Sequence, residues 1–546
     1  MISSIQLENF KAFGHRTIIP LAPITLIFGQ NSSGKSSILQ SLNLLKQTRE
    51  SRDVEALLLP RTENGLVDLG SFQEMLFDHD LKRKLSIRLD ITLDKKKPQF
   101  HSTRPYTRDA KTLGLELSFN RKKLSDEITL EGFKFCSDKI EIAEFEKCQM
   151  PVELQHFVGP SYRSGRRHKT ELMRAAQCKQ ISSDPSYWKP FYERSVNAKG
   201  YLIKILTEAR QKLYEKQDTP LMRGLFDDDE QAGEGGVRLL ASLNDHFKFV
   251  SSEFSFDDYV QRMIHEQLNA FVALDGFIPI LSGRPDWELG MSSILNRVLG
   301  WQRFSRRDWS VDIGASSVYA GQVIGQALGG LFPLGPFRKP PSRWYIFTGT
   351  TPRDVGYQGH LLPDLLFRNN DLLKSTNEWL KALEIGYEIK LQHLGERSSD
   401  LFELLLLDTR RKSPAKLGLS DVGFGISQIL PFVVQSLAAC NQIISVEQPE
   451  VHIHPRLQAD LGDLLIEAIK EPRRNQFIIE THSEHLALRL QRRVREKKLS
   501  PDEISFVYVD RGTNGSTVQS LRLDDQGDFI DDFPGGFFPE RLRELR

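Results

Sequence analysis

The residue types best suited to chemistry fall into four short runs. The first, Gly29-Gln30-Asn31-Ser32-Ser33-Gly34-Lys35-Ser36-Ser37, holds a glycine, four spacers and then Gly-Lys-Ser. Glycines let backbone N–H groups turn inward around phosphate oxygens. Lys35 would reach the β and γ oxygens, and Ser36 would ligate Mg²⁺. Asn31, Ser33 and Ser37 complete the polar lining. The second run, IISVEQPE at 443–450, is an apolar strand that ends in a carboxylate. Glu447 at its end can hold the water shell of Mg²⁺ opposite Ser36. The third, FIIETHS at 477–483, puts His482 just after another apolar strand. That histidine either contacts a γ-phosphate or an attacking water, or is a surface loop residue. The fourth, LSDVGFGISQ at 419–428, carries Ser420, Gly423, Gly425 and Ser427 ahead of a helix. It reads either as an anion site or as a plain turn with Ser427 as the helix cap.

The elements around these runs alternate. Ile2, Ile5 and Leu7 mark an opening strand before NFKAF at 9–13, and ITLIF at 24–28 feeds directly into the glycine-rich turn. Ile38, Leu39, Leu42 and Leu45 then recur at helical spacing. Near the other end, ILPFVVQSLAA, a segment at 456–470 and LRLQRRVREKK at 488–498 read as helices between the strands IISVE, FIIETHS and EISFVYVD. Strands alternating with helices predict a mostly parallel α/β sheet. The middle differs. It has a Lys/Arg-rich turn at 95–108, an acidic Gly-rich loop at 227–236 and a Gly/Pro-rich stretch at 328–341. There is no internal repeat, and the best helical segment, 201–217, is too short for a coiled-coil arm. The middle therefore reads as a folded insertion between two halves of one sheet domain.

Bulk properties narrow the class. Lys+Arg number 73 against 72 Asp+Glu, so no net basic charge argues for nucleic acid. The four cysteines, Cys136, Cys148, Cys178 and Cys440, show no CxxC spacing. That argues against a disulfide scaffold and a Cys-rich zinc module and suits a reducing, cytoplasmic compartment. No apolar run approaches a membrane span, and MISSIQLENFK does not resemble a signal peptide.

Taken in order, the four runs resemble the head of ABC-type ATPases, in the branch that includes SMC, RecF and OLD-family proteins. The NFKAF opening is similar to that branch as well. The resemblance implies an α/β, ABC-type P-loop ATPase head with a large mixed insertion between its two sequence halves. Residues 1–80 would be the first half, 81–340 the insertion, and 341–546 the second half with a C-terminal tail. ATP and Mg²⁺ are the implied cofactors. Gly29, Asn31, Ser33, Gly34, Lys35, Ser36 and Ser37 would form Walker A, and Glu447 the Walker B carboxylate. VHIHP at 451–455 would be the dimer-facing loop, and His482 the switch histidine. Gln73, in VDLGSFQEMLF, matches a Q-loop residue or is simply exposed. In this family the glycine-rich signature of one subunit closes on the nucleotide of a second, and here either Ser420 or Ser427 would make that contact. A head-to-head dimer or higher assembly follows.

The chain departs from the family at two points. The position after the Walker B acid, where the family has a catalytic glutamate, is Gln448. An amide cannot accept a proton from water as a carboxylate does. Either Glu450 or His482 orients the water, or ATP is a long-lived clamp. The stretch after His482 is also too short for the Toprim nuclease of OLD proteins. The aspartate-rich run 524–540 reads as a tail docking aromatics on the head, with a metal nuclease as the competing reading. HIH at 452–454 and HSEH at 482–485 suit phosphate and dimer contacts better than a metal.

DVGFGISQILP, VEQPEVHIHP and GGFFPE further resemble stand-alone ATPases of bacterial anti-phage systems, the Septu ATPases (PtuA) and their retron-linked forms. That resemblance implies an effector nuclease on a separate chain, HNH in type, and a reverse transcriptase with its RNA/DNA where a retron is linked. Three arginine–aromatic runs, 162–169, 301–309 and 337–345, suit phosphate contact with base stacking, or else a solvated surface or subunit interface. Arg166, Arg167, Arg306 and Arg307 are the nucleic-acid candidates. The competing functions are a nucleotide-locked scaffold, favoured by Gln448, and a RecF-like DNA-repair ATPase.

Overall fold

The computed structural model describes residues 1–51, 56–63, 65–93, 110–121, 127–147, 172–177, 271–280, 309–395, 400–412 and 415–534. The chain divides into two compact units. One comprises Met1–Leu93, Ser118–Thr129 and Val323–Arg546, and the other Asp94–Leu117 and Leu130–Gln322.

The first unit begins with β1 (Ile2–Glu8), β2 (Thr17–Pro20), β3 (Ile24–Gly29), α1 (Lys35–Glu50), α2 (Phe72–Met75) and β4 (Leu85–Thr92). The chain then passes through β5 (Thr112–Arg121), β6 (Ile128–Ser137), β7 (Ile140–Lys147), β8 (Leu172–Gln177), β9 (Phe271–Asp275) and β10 (Ile278–Ile280). β6 to β10 pair in sequence order, each antiparallel to the next. Among the described residues, the second unit holds this ladder from Leu130 onward, residues 110–117 with the first part of β5, and residues 309–322. The helix α3 (Trp309–Gly329) leads back to β11 (Leu331–Leu334) and β12 (Tyr345–Ile346). Next come α4 (Leu362–Arg368), α5 (Asn370–Ala382), β13 (Tyr387–His393), β14 (Leu401–Asp408), β15 (Lys416–Gly418) and α6 (Phe424–Ala438). The last elements are β16 (Ile443–Glu447), α7 (Pro455–Ile469), β17 (Gln476–Glu480), α8 (Glu484–Arg495), β18 (Ile504–Gly512) and β19 (Gly515–Leu521).

The central sheet of the first unit runs β11-β16-β17-β3-β18-β19. The first five strands are parallel, and β19 closes the edge as the antiparallel arm of a hairpin. Parallel strands covered on both faces need unbroken apolar runs. ITLIF, IISV and QFII supply them, and their residues are buried throughout. α7 buries Leu461, Leu464, Leu465 and Ala468, and α8 buries Leu486, Ala487, Leu490 and Val494. Arg489 and Arg493 of α8 fix this helix pair by ion pairs to Asp460 and Asp463 of α7 at 2.5–2.8 Å. β4, β1 and β2 form an antiparallel trio, and β12, β14, β13 and β15 a further small sheet.

The unit boundaries differ from the 1–80, 81–340 and 341–546 division. β4 lies beyond residue 80 but pairs along β1, and β11 lies before 341 but is a parallel neighbour of β16. Strand pairing, not composition, sets where the insertion starts and ends. The tail docks its aromatics as expected. Phe529 packs edge-on against Phe506 of β18, and Phe533 against Phe28 of β3. No described helix is long and apolar enough to cross a membrane.

One buried amide ties the two ends of the sequence together. Gln476 Oε1 accepts from the Ile2 N–H at 2.9 Å, while its Nε2 donates to the Ile2 and Ala22 carbonyls at 2.6 and 3.1 Å. Gln476→Leu keeps the bulk and removes all three bonds. Each buried backbone group left unpaired costs about 1–3 kcal/mol. The variant is expected to melt several degrees lower than the parent by circular dichroism, whereas Gln519→Leu, at the exposed sheet edge, leaves the melt within a degree or so.

Candidate nucleotide-binding site

β3 delivers the chain into a turn that only glycines can make. Gly29 has φ of +144°, and a Cβ there would lie 2.2 Å from the Val509 carbonyl oxygen of β18. Gly34 is left-handed at φ +100°, and its Cβ would lie 2.6 Å from the Ala12 Cβ. Gly34 is also the residue from which α1 starts. No side chain caps that helix, and its first turn holds no acidic residue. The unmatched N–H groups and the positive end of the helix dipole thus suit an anion.

This turn forms one wall of a cleft of about 680 Å³. Asn31, Gly34, Lys35, Ser36, Ser37 and Gln40 line that wall. Lys11, Glu74, Leu76, Asp78 and His79 also line the cleft. Gln448, Glu480 and His482 bring in the ends of two parallel strands. That is where ligands bind in open parallel sheets. The Lys35 ammonium donates to the Gly29 and Gln30 carbonyls at 3.0 and 2.7 Å. Burial lowers its pKa, and the Glu480 carboxylate opposes that shift. Ser33 is buried beneath the loop, with its Oγ unpartnered among the described residues.

The sheet aligns three functional positions in one row. Ile27 of β3 is in register with Glu480 of β17, and Glu480 with Glu447 of β16. Glu480 therefore stands between the P-loop strand and Glu447. Ser36 is near enough to pull its pKa down, while its Oε2 is buried and unpartnered among the described residues. Burial raises its pKa, against the pull of Ser36 and Lys35. Glu447 is not among the residues lining the cleft. Its carboxyl is pushed up to about 7 by burial and the Glu480 charge, with Arg338 opposing. Glu480 was missed from sequence, although FIIE ends a buried strand in a carboxylate just as IISVE does.

Arg338 is the other residue the sequence concealed. It sits in the run FRKPPSRWY, expected to be a basic surface patch, yet it is 5% exposed. It lies near Glu450 and Glu447, and burial lowers its pKa to about 10, so it stays a cation at neutral pH. Arg343, from the same run, pairs with Asp421 at 2.9 Å, and Phe337 and Trp344 are exposed.

Glu450 does not line the cleft. Its Oε1 accepts from the His482 N–H at 2.7 Å, so it holds the backbone of the histidine loop. His482 itself lines the cleft, and burial together with Lys35 lowers its pKa, favouring the neutral ring. Gln448 lines the cleft with φ of +45°, and its N–H donates to the Glu480 carbonyl at 2.8 Å.

The remaining candidates lie elsewhere. The segment with Gln73 reaches the cleft through Glu74, Leu76, Asp78 and His79, whereas the Gln73 side chain is exposed and is not part of the lining. Ser420, Gly423, Gly425 and Ser427 also lie outside the lining. Gly423, in extended conformation, is the residue from which α6 starts. Ser427 is thus a buried residue inside the helix and not its cap. The helix begins ahead of the apolar run ILPFVV because Gly423 sets the turn. Gly425 packs on the loop after Glu447, where a Cβ would lie 2.4 Å from the His452 carbonyl oxygen. His454 caps α7, with its Nδ1 accepting from the Arg456 N–H at 3.2 Å. Arg166, Arg167, Arg306 and Arg307 lie outside the described residues. In the tail, Asp531 pairs with Arg522, Asp528 with Arg495, and Asp524 accepts from the N–H groups of its own turn. No group of three or more metal-ligand side chains occurs among the described residues.

These residues fit a magnesium–nucleoside triphosphate. Glycine cradles that a Cβ would fill suit phosphate oxygens, and an uncapped helix start suits their charge. Lys35 and the P-loop backbone would hold the phosphates. Ser36 with a strand-end carboxylate would hold the metal, whose charge offsets that building on the phosphates. Gly34→Ala is expected to weaken binding of a fluorescent ATP analogue about tenfold or more, given roughly 1–2 kcal/mol of left-handed strain plus the clash with Ala12. Adding Ala12→Gly should recover the clash and leave the strain. Full-strength binding by Gly34→Ala would refute this placement of the phosphates.

The AAA ATPase domain family matches residues 1–231 and 361–487. No curated protein matches the sequence. Among solved structures, the Smc head domain of Pyrococcus furiosus aligns at 12% identity, over 100% of this chain and 98% of that one, with a TM-score of 0.33. The SMC head domain of Thermotoga maritima aligns at 9% identity over 96% and 99%, with a TM-score of 0.34. The Smc head domain of Pyrococcus yayanosii aligns at 11% identity over 100% and 99%, also with a TM-score of 0.34. Since the family match spans more than half of the chain and takes in the P-loop, both strand-end glutamates and His482, the chain belongs to the AAA ATPase domain family.

Proposed function

We propose that this ATPase is a regulatory one, which closes head to head on a second copy around ATP and controls a nuclease supplied by another chain. The observation that carries the reading is the separation of Gly423–Ser427 from the chain's own cleft. A glycine-bearing helix start with open space at Gly423 can approach a phosphate on a second copy. Because Gly425 packs on the loop after Glu447, such closure would bear on the strand ends beneath the nucleotide.

Within one cleft the division of labour follows from the side chains. Lys35 and the helix start neutralise phosphate charge. His482, kept neutral by burial, can accept or donate one hydrogen bond at a phosphate or water. Gln448 lines the cleft but can only orient water, not deprotonate it. Glu450 lies outside the lining and holds the His482 backbone through one oxygen. Turnover is accordingly slow, and ATP acts chiefly as a clamp. The anti-phage setting, with a Septu-type HNH nuclease or a retron-linked reverse transcriptase, rests on the phrases DVGFGISQILP and VEQPEVHIHP. A nucleotide-locked scaffold is the second reading, and Gln448 is the residue that favours it.

Hydrolysis and retention of labelled ATP separate the two. Lys35→Ala is expected to lose nucleotide binding. Under the regulatory reading the wild type hydrolyses ATP slowly but measurably, and Gln448→Glu is at least tenfold faster. Retention with no turnover above background would leave the scaffold reading. Light scattering should show an ATP-dependent increase in mass that Gly423→Asp abolishes while nucleotide still binds. An unchanged mass in ATP would remove head pairing from the account.

A further inference from the structure

The run FRKPPSRWYI, at 337–346, has no place in the nucleotide cleft. It presents large apolar side chains to solvent, with Phe337 84%, Trp344 56% and Ile346 61% exposed. The backbone that carries them is fixed. Tyr345 and Ile346 pair with Phe402 and Leu401 of β14. The Tyr345 ring lies 5.7 Å from that of Phe402, and its hydroxyl accepts from the Ser342 N–H at 3.0 Å. Along this extended stretch Tyr345 is half-buried, while Trp344 and Ile346 on either side of it are exposed. Single exposed apolar residues are ordinary, but an ordered strand that offers two of them together is built for contact.

The same run is joined to the glycine-bearing turn ahead of α6. Arg343 donates through Nη2 to Asp421 Oδ1 at 2.9 Å and through Nη1 to Asp421 Oδ2 at 3.3 Å, a bidentate pair. Asp421 stands two residues before Gly423, where a Cβ would meet nothing within 4 Å. Both side chains of the pair are exposed, Arg343 at 73% and Asp421 at 39%, so the pair adds little to stability. Its effect is local. A bare carboxylate next to a helix start occupies the positive end of the dipole and repels an arriving phosphate. The guanidinium cancels that charge.

We propose that a second copy of the chain covers this surface when the heads close, burying Trp344 and Ile346, while Arg343 neutralises Asp421 so that the turn at Gly423 can approach the partner's phosphates. This rests on the head-to-head reading and names the surface that flanks the turn. The occupant is a second copy because Arg343 ties the apolar strand to the turn which pairing sets on a nucleotide. A nucleic acid fits less well, since Arg343 is already held by a carboxylate and Arg338 of the same run is buried. In a two-fold pair the patch is used twice, so each loss counts twice.

The test measures the pairing constant of the full-length chain by light scattering over a range of protein concentrations, in Mg²⁺ and a non-hydrolysable ATP analogue. Trp344→Ala should weaken pairing about tenfold or more, and Trp344→Phe much less. Binding of a fluorescent ATP analogue by the unpaired chain should not change in either. The charge arm is a double-mutant cycle: Arg343→Ala should weaken pairing about fivefold, Asp421→Asn should pair at least as well as the wild type, and the double variant should match Asp421→Asn. The proposal is overturned if Trp344→Ala pairs as the wild type does, the result expected if the strand serves a nuclease chain or a nucleic acid instead. It is equally overturned if the double variant stays as weak as Arg343→Ala. Should Trp344→Ala lower the melt, Ile346→Ser carries the apolar arm with the same expectation and the same refutation. Gly423→Asp guards the underlying reading. If it pairs as well as the wild type, the heads do not meet through this turn and the head-to-head reading fails, whatever Trp344 does. A wild type that never pairs in the analogue removes both.

Discussion

The parallel hydrogen-bond register across β16, β17 and β3 is the constraint on which the site depends. It puts Glu447, Glu480 and Ile27 in one row, so the P-loop, the histidine loop and the loop after Glu447 all leave the sheet at the same level. A shift by one residue would turn every side chain on a strand to the opposite face. Slippage is opposed by the burial of all three strands and by Gln476, whose amide holds Ile2 and Ala22 to the start of β17. The long crossover from β3 to β11 is compatible with this. Loop-closure entropy grows only with the logarithm of length, so a folded excursion adds little to the cost of bringing the strands together.

The same row concentrates charge in a place of low dielectric. Glu447, Glu480 and Glu450 are three carboxyls beside two buried cations, Lys35 and Arg338. The carboxyl pKa values all move upward because burial outweighs the available positive charge. Of the three, only Glu480 lines the cleft. Arg338 serves the carboxyls behind it. A buried arginine between glutamates contributes little net stability, but removing either partner is expensive, which makes the arrangement specific more than strong.

Much of this was legible in the residues. ITLIFG before GKSS, and the apolar runs IISV and FII, announce parallel strands by their unbroken hydrophobicity, and each ends in the residue that does chemistry. What could not be read is order in space. Nothing local in FIIETHS says that its strand inserts between those of the P-loop and of Glu447, so Glu480 looked like a spacer before His482. Arg338 was hidden for a similar reason. Flanked by prolines and exposed aromatics, it resembles a surface charge, and only the pairing of β11 with β16 carries it in beside two carboxyls. Ser427 was misjudged because a glycine in extended conformation started the helix earlier than the apolar run indicated. In the insertion neither motif nor period marked the antiparallel ladder of β6 to β10.

One short loop gathers these pieces. Between Gln448 and His454, the Gln448 N–H meets the Glu480 carbonyl, Glu450 holds the His482 backbone, the His452 carbonyl packs on Gly425, and His454 caps α7. Gln448 and His452 both adopt left-handed φ, at +45° and +63°. Each such non-glycine residue costs about 1–2 kcal/mol, and it persists only where its surroundings fix it. The loop is therefore tied to the end of β17, to the histidine loop that follows it and to the start of α6, and it caps the helix it enters. A displacement of the α6 start would reach Glu480 and His482 through a backbone with little slack, because the Gly425–His452 approach leaves no room for even a methyl group. Close packing of this kind makes the two ends of the loop move together or not at all.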